Sequence, residues 1–273
     1  MEFLTVKGER LPRIGFGTSQ ITGRACTNIV KTALGLGYRH IDTAQAYGNE
    51  DDVGRAIAQS TVKREDIFLT TKVWRSSLDA KGVARSTAES LDRLGTGYVD
   101  LLLVHWPNDS VPMGETLKAF AELKAEGKTR HIGVSNYTLR HLKEAVETHK
   151  ADLLCNQLEY HPQLDQSAQL GALRGYGMAL VAYSPLGRGR MVKNAVLSAI
   201  GKKYGKSASQ VALNWLVSQD AVATIPKASS EAHCRANLEV FDFALTEADR
   251  AEIASLASNS RVWLPSWGPS WDD

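Results

Sequence analysis

Short apolar segments alternate with longer amphipathic segments along most of the chain. The short segments are often rich in β-branched residues and have the length of strands rather than of helices. Eight of them are predicted strands, near Ile14–Gly17, His40–Asp42, Ile67–Lys72, Val99–His105, His131–Val134, Leu153–Gln157, Leu180–Tyr183 and Val222–Ile225. The fourth is nearly continuous in apolar residues, which is typical of a parallel strand that is covered on both faces.

The segments between these strands carry apolar residues at helical spacing. Cys26, Val30 and Ala33 fall on one face of the first such segment. Ser207 and Gln210 have the spacing of a capping box, in which each side chain bonds the backbone of the other residue. That pair predicts the start of a later helix.

This alternation favours a closed (β/α)8 TIM barrel, because eight strand–helix units follow one another without a linker or a second domain. We expect residues 1–273 to form this single domain. A β-hairpin over Phe3–Ile14, turning at Lys7–Glu9, is expected to cap the barrel at its N-terminal side. A loop is expected to follow the barrel at the C-terminal side.

The alternative for an enzyme that binds a dinucleotide is a Rossmann sheet, which needs G-x-G-x-x-G after its first strand. Gly15 and Gly17 are followed by no third glycine at that spacing, and Gly187 and Gly189 also lack one. We therefore interpret these glycines as ordinary turns and reject the Rossmann sheet.

Composition and charge are those of an ordinary globular protein, with 43% hydrophobic and 23% charged residues. The 32 basic and 30 acidic residues give a net charge of +2, so nothing favours a nucleic-acid or membrane partner. Neither a signal peptide nor a membrane-spanning run is recognisable. Three widely spaced cysteines show no metal-ligand pattern, so we expect a cytoplasmic protein without a bound metal. A closed barrel has no open sheet edge, which makes a monomer the expectation.

Four polar side chains of different chemistry lie at the ends of neighbouring predicted strands. They are Asp42, Lys72 and His105, at the ends of the second, third and fourth strands, and Tyr47, five residues after the first of them. Chemistry in such barrels sits at the C-terminal ends of the strands, so these side chains are expected to converge. Each also has a plain structural alternative: Asp42 as a cap, Tyr47 as a packing residue, and Lys72 and His105 as rim residues bonded to backbone carbonyls.

Such a set is suited to carbonyl reduction. Hydride attack on C=O leaves an alkoxide that needs a proton, and a tyrosine with a pKa near ~10 carries that proton at neutral pH. An ammonium at Lys72 would make the Tyr47 phenol a stronger acid, and Asp42 would hold the ammonium in place and keep it charged. A neutral His105 could orient the substrate oxygen.

Several long segments resemble the aldo-keto reductase family. They are Gly37–Glu50, Leu69–Trp74, Tyr98–Pro107, Lys128–Asn136 and Ile225–Lys227. The resemblance extends over nearly the whole chain, from Phe3 to the segment Thr246–Leu256, and is to a bacterial-type member similar to 2,5-diketo-gluconate and methylglyoxal reductases. It implies the barrel fold, the use of NADPH, and a catalytic tetrad with Tyr47 as proton donor. The tetrad residues are Asp42, Tyr47, Lys72 and His105.

The resemblance also implies cofactor contacts. The implied residues are Ser135, Asn136 and Gln157 for the nicotinamide carboxamide, Tyr183 for stacking on the ring, and Ser184, Leu186 and Gly187 for the loop over the pyrophosphate. Structural alternatives exist for two of these sites. Tyr183 could belong to the barrel core, and Ser135–Asn136 could be a helix N-cap.

The pocket for the 2′-phosphate departs from the family pattern. The family has a serine after Ile-Pro-Lys and an arginine six residues beyond the lysine, whereas this chain has Ala228 and His233. Lys227 and Ser229 can still bind a phosphate, and Asn237 matches the asparagine that contacts adenine. A neutral histidine lacks the bidentate charged grip of arginine. We therefore expect NADPH to be preferred over NADH by a smaller margin than usual.

The expected substrate is a small-molecule carbonyl compound. Gln20, Trp74, Trp106 and Trp263 are the predicted pocket-lining residues. Such a pocket suits small apolar or aromatic aldehydes, ketoaldehydes and sugar-derived carbonyl compounds. The tail carries two further indoles, and all three could instead plug the barrel edge or make a dimer contact.

Two functions of other classes remain as alternatives. One is a regulatory, nucleotide-sensing barrel that binds the cofactor with little catalysis. The other is a metal- or phosphate-dependent isomerase or hydrolase. That enzyme would need carboxylates or histidines clustered at several strand ends, whereas His105 is the single histidine among the candidate catalytic residues at strand ends.

Overall fold

A computed structural model describes residues 2–271, which form ten β-strands and ten α-helices. Met1, Asp272 and Asp273, at the ends of the predicted single domain, lie outside the described residues. The strands are β1 (Phe3–Val6), β2 (Glu9–Pro12), β3 (Phe16–Gly17), β4 (His40–Asp42), β5 (Phe68–Val73), β6 (Val99–Val104), β7 (Thr129–Ser135), β8 (Leu153–Glu159), β9 (Ala179–Tyr183) and β10 (Val222–Thr224).

From β3 onward the strands alternate with helices, except that two helices lie between β9 and β10 and two follow β10. The helices are α1 (Gly23–Gly35), α2 (Glu50–Ala58), α3 (Ala80–Leu94), α4 (Met113–Ala125), α5 (Leu139–Lys143), α6 (Ser167–Gly175), α7 (Ala195–Tyr204), α8 (Ala208–Val217), α9 (Glu231–Leu238) and α10 (Glu247–Ala254). Short 3-10 turns lie at Gln45–Tyr47, Arg64–Asp66, Arg75–Ser77 and Gly187–Gly189, and a π-helical turn at Glu144–Thr148 follows α5.

Strands β3 to β10 form one parallel sheet in chain order, and this sheet closes on itself. Ile14, just before β3, bridges Thr224 at the end of β10. The Gly15 N–H donates to the Thr224 carbonyl oxygen at 2.8 Å, and the Thr224 N–H donates to Arg13 at 2.8 Å. The predicted (β/α)8 barrel is confirmed, and each predicted strand end lies within two residues of the observed one.

The glycines of the first barrel strand are not turn residues, so that interpretation was wrong for Gly15 and Gly17. A Cβ atom on Gly15 would lie 2.6 Å from the His40 ring, and one on Gly17 would lie 2.7 Å from the Ile225 carbonyl oxygen. The missing side chain of Gly15 leaves room for the His40 ring of β4, and that of Gly17 lets the first and last strands approach each other at the closing seam.

The N-terminal hairpin covers the lower end of the barrel, as predicted. Val6 pairs with Glu9, which leaves Lys7 and Gly8 as a two-residue turn with φ of 48° and 86°. Two positive φ angles are typical of the hairpin turn whose twist matches that of the strands. The apolar side chains of the hairpin pack with residues that point into the barrel, and these hairpin residues are Leu4, Val6 and Leu11.

Most of the buried apolar side chains lie between the sheet and the surrounding helices. All six residues of β6 are buried, which confirms the prediction from its continuous apolar run. The predicted capping box is also present, since Ser207 and Gln210 each bond the other's backbone at the start of α8. No helix within residues 2–271 has both the length and the apolar character needed to cross a membrane.

Candidate active site

The C-terminal ends of neighbouring strands bring three predicted catalytic residues side by side. Asp42 is the last residue of β4, and Lys72 lies near the end of β5. Asp42 pairs with Thr70, and Lys72, two residues further on, points to the same side of the sheet as Thr70. His105 follows β6, and its N–H donates to the Val73 carbonyl oxygen at 3.0 Å. That bond continues the β5–β6 ladder up to the histidine.

The Lys72 ammonium connects the groups of this cluster. Its Nζ atom donates to Asp42 Oδ1 at 2.5 Å and to the Thr43 carbonyl oxygen at 2.7 Å. The Tyr47 hydroxyl lies 3.4 Å from the same Nζ atom. Gln157 Nε2 donates to the other carboxylate oxygen of Asp42 at 2.8 Å. Lys72 and Asp42 are both buried, so water does not screen this ion pair.

Burial and charge act in opposite directions on the proton affinity of Tyr47. Burial raises the pKa of the phenol above its ordinary value, and the nearby Lys72 ammonium lowers it without offsetting the burial. The lowering effect expected of Lys72 is present, and burial, which the sequence does not measure, acts against it. Burial also lowers the pKa of Lys72, but Asp42 and Tyr47 outweigh it and the pKa lies above its ordinary value. At neutral pH a protonated phenol thus lies beside a charged ammonium.

His105 forms another wall of the cluster. Its ring lies edge-on to the rings of Tyr47 and Trp74, at centroid distances of 5.6 Å and 5.2 Å. Burial, with a contribution from Lys72, lowers the pKa of His105 well below its ordinary value, so the imidazole is neutral at pH 7. Its Nδ1 atom is buried with no hydrogen-bond partner. A neutral imidazole still carries one N–H group, which can donate to a substrate oxygen.

The residues predicted to hold the nicotinamide lie beside this cluster and bond to one another. Ser135 Oγ donates to the Gln157 carbonyl oxygen at 2.9 Å. Asn136 Nδ2 donates to the His105 carbonyl oxygen and to Ser135 Oγ, both at 3.0 Å. Tyr183 donates from its hydroxyl to Asn136 Oδ1 at 2.9 Å. Asn136 adopts a left-handed φ of 60°, which is uncommon outside glycine and often found at functional sites.

The loop predicted to cover the pyrophosphate turns sharply after β9. Ser184 and Gly187 have φ of 47° and 54°, and the Gly187 N–H donates to the Ser184 carbonyl oxygen at 2.8 Å. Gly189 has φ of 98°, so this glycine pair does lie in a turn, as predicted. Leu186 is half-buried against the core.

The residues predicted for the phosphate and adenine follow β10 and enter α9. Lys227, Ser229 and His233 are exposed, whereas Asn237 is buried. Ser230 caps α9, since its Oγ accepts the His233 N–H at 3.3 Å.

The C-terminal tail, residues 255–271, places an indole that we did not select beside two of the predicted pocket residues. Trp267 lies edge-on to Trp74 and Trp106, at centroid distances of 5.5 Å and 5.3 Å. Trp263 instead lies 42% exposed beneath the Arg188 guanidinium, 4.6 Å from its carbon. The spacing of the tail tryptophans does not distinguish them, because their placement depends on where the tail is anchored.

Two further aromatic or polar positions complete this region. Gln20, predicted for the substrate, is exposed after β3 with a left-handed φ of 64°. Trp271 packs against the core, with the Arg261 guanidinium carbon 3.6 Å from its ring centroid.

Comparison with known proteins identifies the family in which this arrangement occurs. The family model for the aldo/keto reductase family matches residues 13–258. The chain belongs to the aldo/keto reductase family. The resemblance inferred from the sequence is thereby confirmed.

Individual members of the family match over nearly the whole chain. The glyoxal reductase of Bacillus subtilis (strain 168) is 38% identical over 267 residues, covering 97% of this chain and 94% of that protein. The methylglyoxal reductase DkgB of Escherichia coli O157:H7 is 37% identical over 266 residues, covering 96% and 99%. A crystal structure assigned as a 2,5-diketo-D-gluconic acid reductase B superposes with a TM-score of 0.97 at 43% identity, covering 100% of this chain and 98% of that one. This aldo/keto reductase is an oxidoreductase that acts on carbonyl groups.

Gln45 is a polar residue of this aldo/keto reductase that the sequence analysis missed. Its Oε1 atom accepts the Trp74 N–H at 3.0 Å, and its Nε2 atom donates to the Ser90 hydroxyl of α3 at 3.0 Å. The Gln45 side chain thus connects the turn that carries Tyr47 to Trp74, the residue that follows β5. Its position two residues before Tyr47 was the available signal.

Glu159 was missed as well. It is the last residue of β8 and lies two residues after Gln157 on the same face of the strand. Its carboxylate is buried and accepts backbone N–H groups from the tail, at Val262 and Trp263. Because Gln157 was predicted to lie at the site, the alternation of side chains along β8 would have placed Glu159 on the same face, at the C-terminal end of the barrel. No local pattern indicates that its hydrogen-bond partners lie about a hundred residues away.

Proposed function

We propose that this aldo/keto reductase reduces carbonyl compounds with NADPH, and that Tyr47 gives the proton to the substrate oxygen. The observation that carries this proposal is the buried cluster in which Lys72 Nζ lies 2.5 Å from Asp42 Oδ1 and 3.4 Å from the Tyr47 hydroxyl. The neutral ring of His105 stands edge-on to the phenol. The phenol and the imidazole are therefore neighbours, and the ammonium contacts the phenol hydroxyl.

The chemistry of the neighbouring side chains fits a nicotinamide, in keeping with the NAD(P)H cofactors that this family uses. Ser135, Asn136 and Gln157 offer one hydroxyl and two amides, which match the donor and acceptor of a carboxamide. Tyr183 offers a flat ring for stacking. The dihydronicotinamide, when bound, supplies the hydride. Loop residues Ser184, Leu186 and Gly187 would cover the pyrophosphate.

The proton step follows from the charges of the cluster. Tyr47 is protonated at neutral pH, since the ordinary pKa of tyrosine is ~10 and burial raises it further. As charge develops on the substrate oxygen, the phenol donates, and the Lys72 ammonium stabilises the phenolate left behind. Asp42 keeps that ammonium charged and in place. His105, being neutral, holds the substrate oxygen without adding a second positive charge.

We further propose a preference for NADPH over NADH that is modest. Lys227 and Ser229 would bind the 2′-phosphate together with His233, and Asn237 would contact the adenine. Arg235, the nearest arginine in sequence, donates to Glu231 at 3.0 Å on the exposed face of α9. The proposed 2′-phosphate pocket then has one permanent positive charge, that of Lys227. An arginine in place of His233 would bind the phosphate more strongly through two parallel hydrogen bonds.

The proposed substrate is a small carbonyl compound bound among Gln20, Trp74, Trp106 and Trp263, with Trp267 added from its contacts. The names of the relatives, glyoxal reductase and methylglyoxal reductase, favour small dicarbonyls. We also propose that residues 1–273 form one domain and that the protein is a monomer. We propose further that it acts in the cytoplasm and binds neither nucleic acid nor a membrane.

The decisive experiment is cofactor oxidation on a panel of small aldehydes, with NADPH and with NADH, for the wild type and Tyr47→Phe. Loss of the proton donor is expected to lower kcat by roughly 10²–10⁴-fold while NADPH binding persists. Wild-type turnover in Tyr47→Phe would contradict the mechanism. Tight NADPH binding without turnover on any carbonyl would favour the nucleotide-sensing alternative. Equal kcat/KM with NADH would contradict the cofactor preference.

A further inference from the structure

A buried carboxylate at the end of β8 holds the C-terminal tail. Glu159 accepts the Val262 N–H at 2.5 Å with Oε1 and the Trp263 N–H at 3.0 Å with Oε2. His161 Nε2 lies 3.1 Å from Oε1. Only 1% of the Glu159 residue surface is exposed. Both carboxylate oxygens are thus occupied by backbone groups of a segment 103 and 104 residues away in the sequence.

Such an arrangement needs a physical reason, because burying a carboxylate costs free energy unless hydrogen bonds replace its water. Hydrogen bonds from N–H groups to a charged acceptor are among the stronger ones in proteins. The tail has no helix or strand between the end of α10 and Trp271. Glu159 therefore supplies fixed acceptors to a segment that lacks regular backbone pairing of its own.

Contacts on either side of Val262 support the same attachment. Arg190 donates to the Ser260 hydroxyl at 2.9 Å, and the Arg188 guanidinium stacks on Trp263. Four residues after Trp263, the tail reaches Trp267, whose ring contacts Trp74 and Trp106. The Arg75 guanidinium lies over the same indole, 4.9 Å from its centroid.

This path leads from Glu159 to the proposed substrate pocket. Trp74, which Trp267 contacts, is itself edge-on to His105 in the catalytic cluster. Trp267 is 39% exposed, so the indole forms part of the outer wall of the opening rather than of the core. Its position depends on where the tail is attached, and Glu159 is the attachment point that bonds two successive backbone N–H groups of the tail, beside the side-chain contacts of Arg188, Arg190 and Arg75.

We propose that Glu159 is a positioning residue for substrate selection. It holds the tail across the C-terminal rim of the barrel by accepting the Val262 and Trp263 N–H groups. The tail then places Trp267 at the side of the substrate opening. The proposal rests on the carbonyl-reducing function proposed above. Aromatic and other larger carbonyl compounds reach this wall, whereas a compound of two or three carbons stays near Tyr47 and His105. Glu159 therefore acts on the KM of large substrates rather than on the chemical step.

The first test measures the attachment without any catalysis. Glu159→Gln keeps the shape of the side chain but loses the charge and one acceptor oxygen. Hydrogen exchange of the amides of Val262 and Trp263 is expected to become about tenfold faster or more. Glu252→Gln, a substitution of an exposed acid in α10, is the matched control and leaves these amides protected. Unchanged exchange in Glu159→Gln would overturn the proposal even if the enzyme is fully active.

The second test measures substrate selection in the same variants. The KM for benzaldehyde with NADPH is expected to rise about tenfold in Glu159→Gln, the size of a lost aromatic contact, while kcat stays within twofold. The KM for methylglyoxal is expected to stay within twofold. A fall in kcat for both substrates would overturn the positioning role, since it would show that Glu159 acts on the catalytic centre.

A Trp267→Ala background in the full chain separates action through this indole from direct action. In that background, Glu159→Gln is expected to have no further effect on the benzaldehyde KM, whereas a persisting effect would overturn the proposal. If Glu159→Gln does not fold, Val262→Pro removes one donor with the carboxylate intact and is expected to raise the same KM.

The proposed function and the attachment of the tail can fail separately. If the protein reduced no carbonyl compound while the amides of Val262 and Trp263 exchanged faster in Glu159→Gln, the proposed function would be rejected and the attachment would stand.

Discussion

A buried ammonium and a buried carboxylate stabilise the fold only as a pair, and the Lys72–Asp42 contact is such a pair. Lys72→Met leaves the Asp42 charge buried, with the Gln157 amide as its remaining donor. We expect this variant to lose ~3–5 kcal/mol of unfolding free energy and nearly all activity. The double variant Asp42→Asn/Lys72→Met is expected to recover most of that stability and none of the activity. Urea unfolding and NADPH oxidation measure the two effects.

The single variant Asp42→Asn completes this cycle, because it leaves the ammonium without its carboxylate. If the double variant were as unstable as Lys72→Met, lost packing rather than the unpaired charge would explain the cost. If the double variant were active, the ammonium would not be needed beside Tyr47.

At the scale of elements, the start of α8 shows a local pattern that fixes structure by itself. Ser207 Oγ accepts the Gln210 N–H at 3.3 Å, and the Gln210 side chain accepts the Ser207 N–H at 3.0 Å. Ser207→Ala is expected to cost ~1 kcal/mol, seen as a lower urea midpoint at an unchanged m-value. Ser209→Ala, inside the same helix, is the control and is expected to be neutral or slightly stabilising. Equal losses in both variants would show that the cap is not the cause.

Local patterns of this kind explain why the barrel could be predicted and parts of the site could not. All eight barrel strands could be predicted from strand length and apolar runs, which are properties of neighbouring residues. The positions of polar residues at strand ends likewise predicted that Asp42 and Tyr47 lie beside Lys72. The role of Gly17 depends on a close approach to Ile225, and that of Glu159 on the tail. Such contacts are made by the closed molecule, and no spacing along the chain encodes them. The contacts of Trp267 with Trp74 and Trp106 depend on the path of the tail in the same way.

At the scale of the whole molecule, closing the barrel removes titratable groups from water, and His40 shows the consequence. It points into the barrel, where its Nε2 atom lies 3.0 Å from Thr70 Oγ1. Burial lowers the pKa of His40 to about 4, with a smaller raising effect from Asp42 and a lowering effect from Lys72. His105 is shifted in the same direction. Both imidazoles stay neutral in the folded state at a pH where an unfolded chain binds protons.

The sign of the pH dependence follows from this difference. Between pH 6.5 and about 4 the unfolded state binds the extra proton at His40, so stability falls as the pH falls through that window. From pH 7 to pH 5 this residue alone is expected to cost on the order of 2 kcal/mol. Asp152, whose pKa is lowered to about 2 by Lys124 and Lys7, loses its contribution only below its ordinary value of 3.8.

The two effects are therefore separable by urea unfolding at pH 7 and pH 5. His40→Gln keeps a polar group near Thr70 without a titrating proton, and its stability is expected to fall less over this interval than that of the wild type. The exposed His233→Gln is the control and should keep the wild-type slope. If the unfolding free energy of His40→Gln fell from pH 7 to pH 5 as much as that of the wild type, His40 would not be neutral in the folded barrel. The loss of stability in acid would then come from other groups. A smaller loss of stability between pH 7 and pH 5 in His40→Gln, but not in His233→Gln, would show that the buried imidazole of His40 contributes to the instability of the barrel in acid.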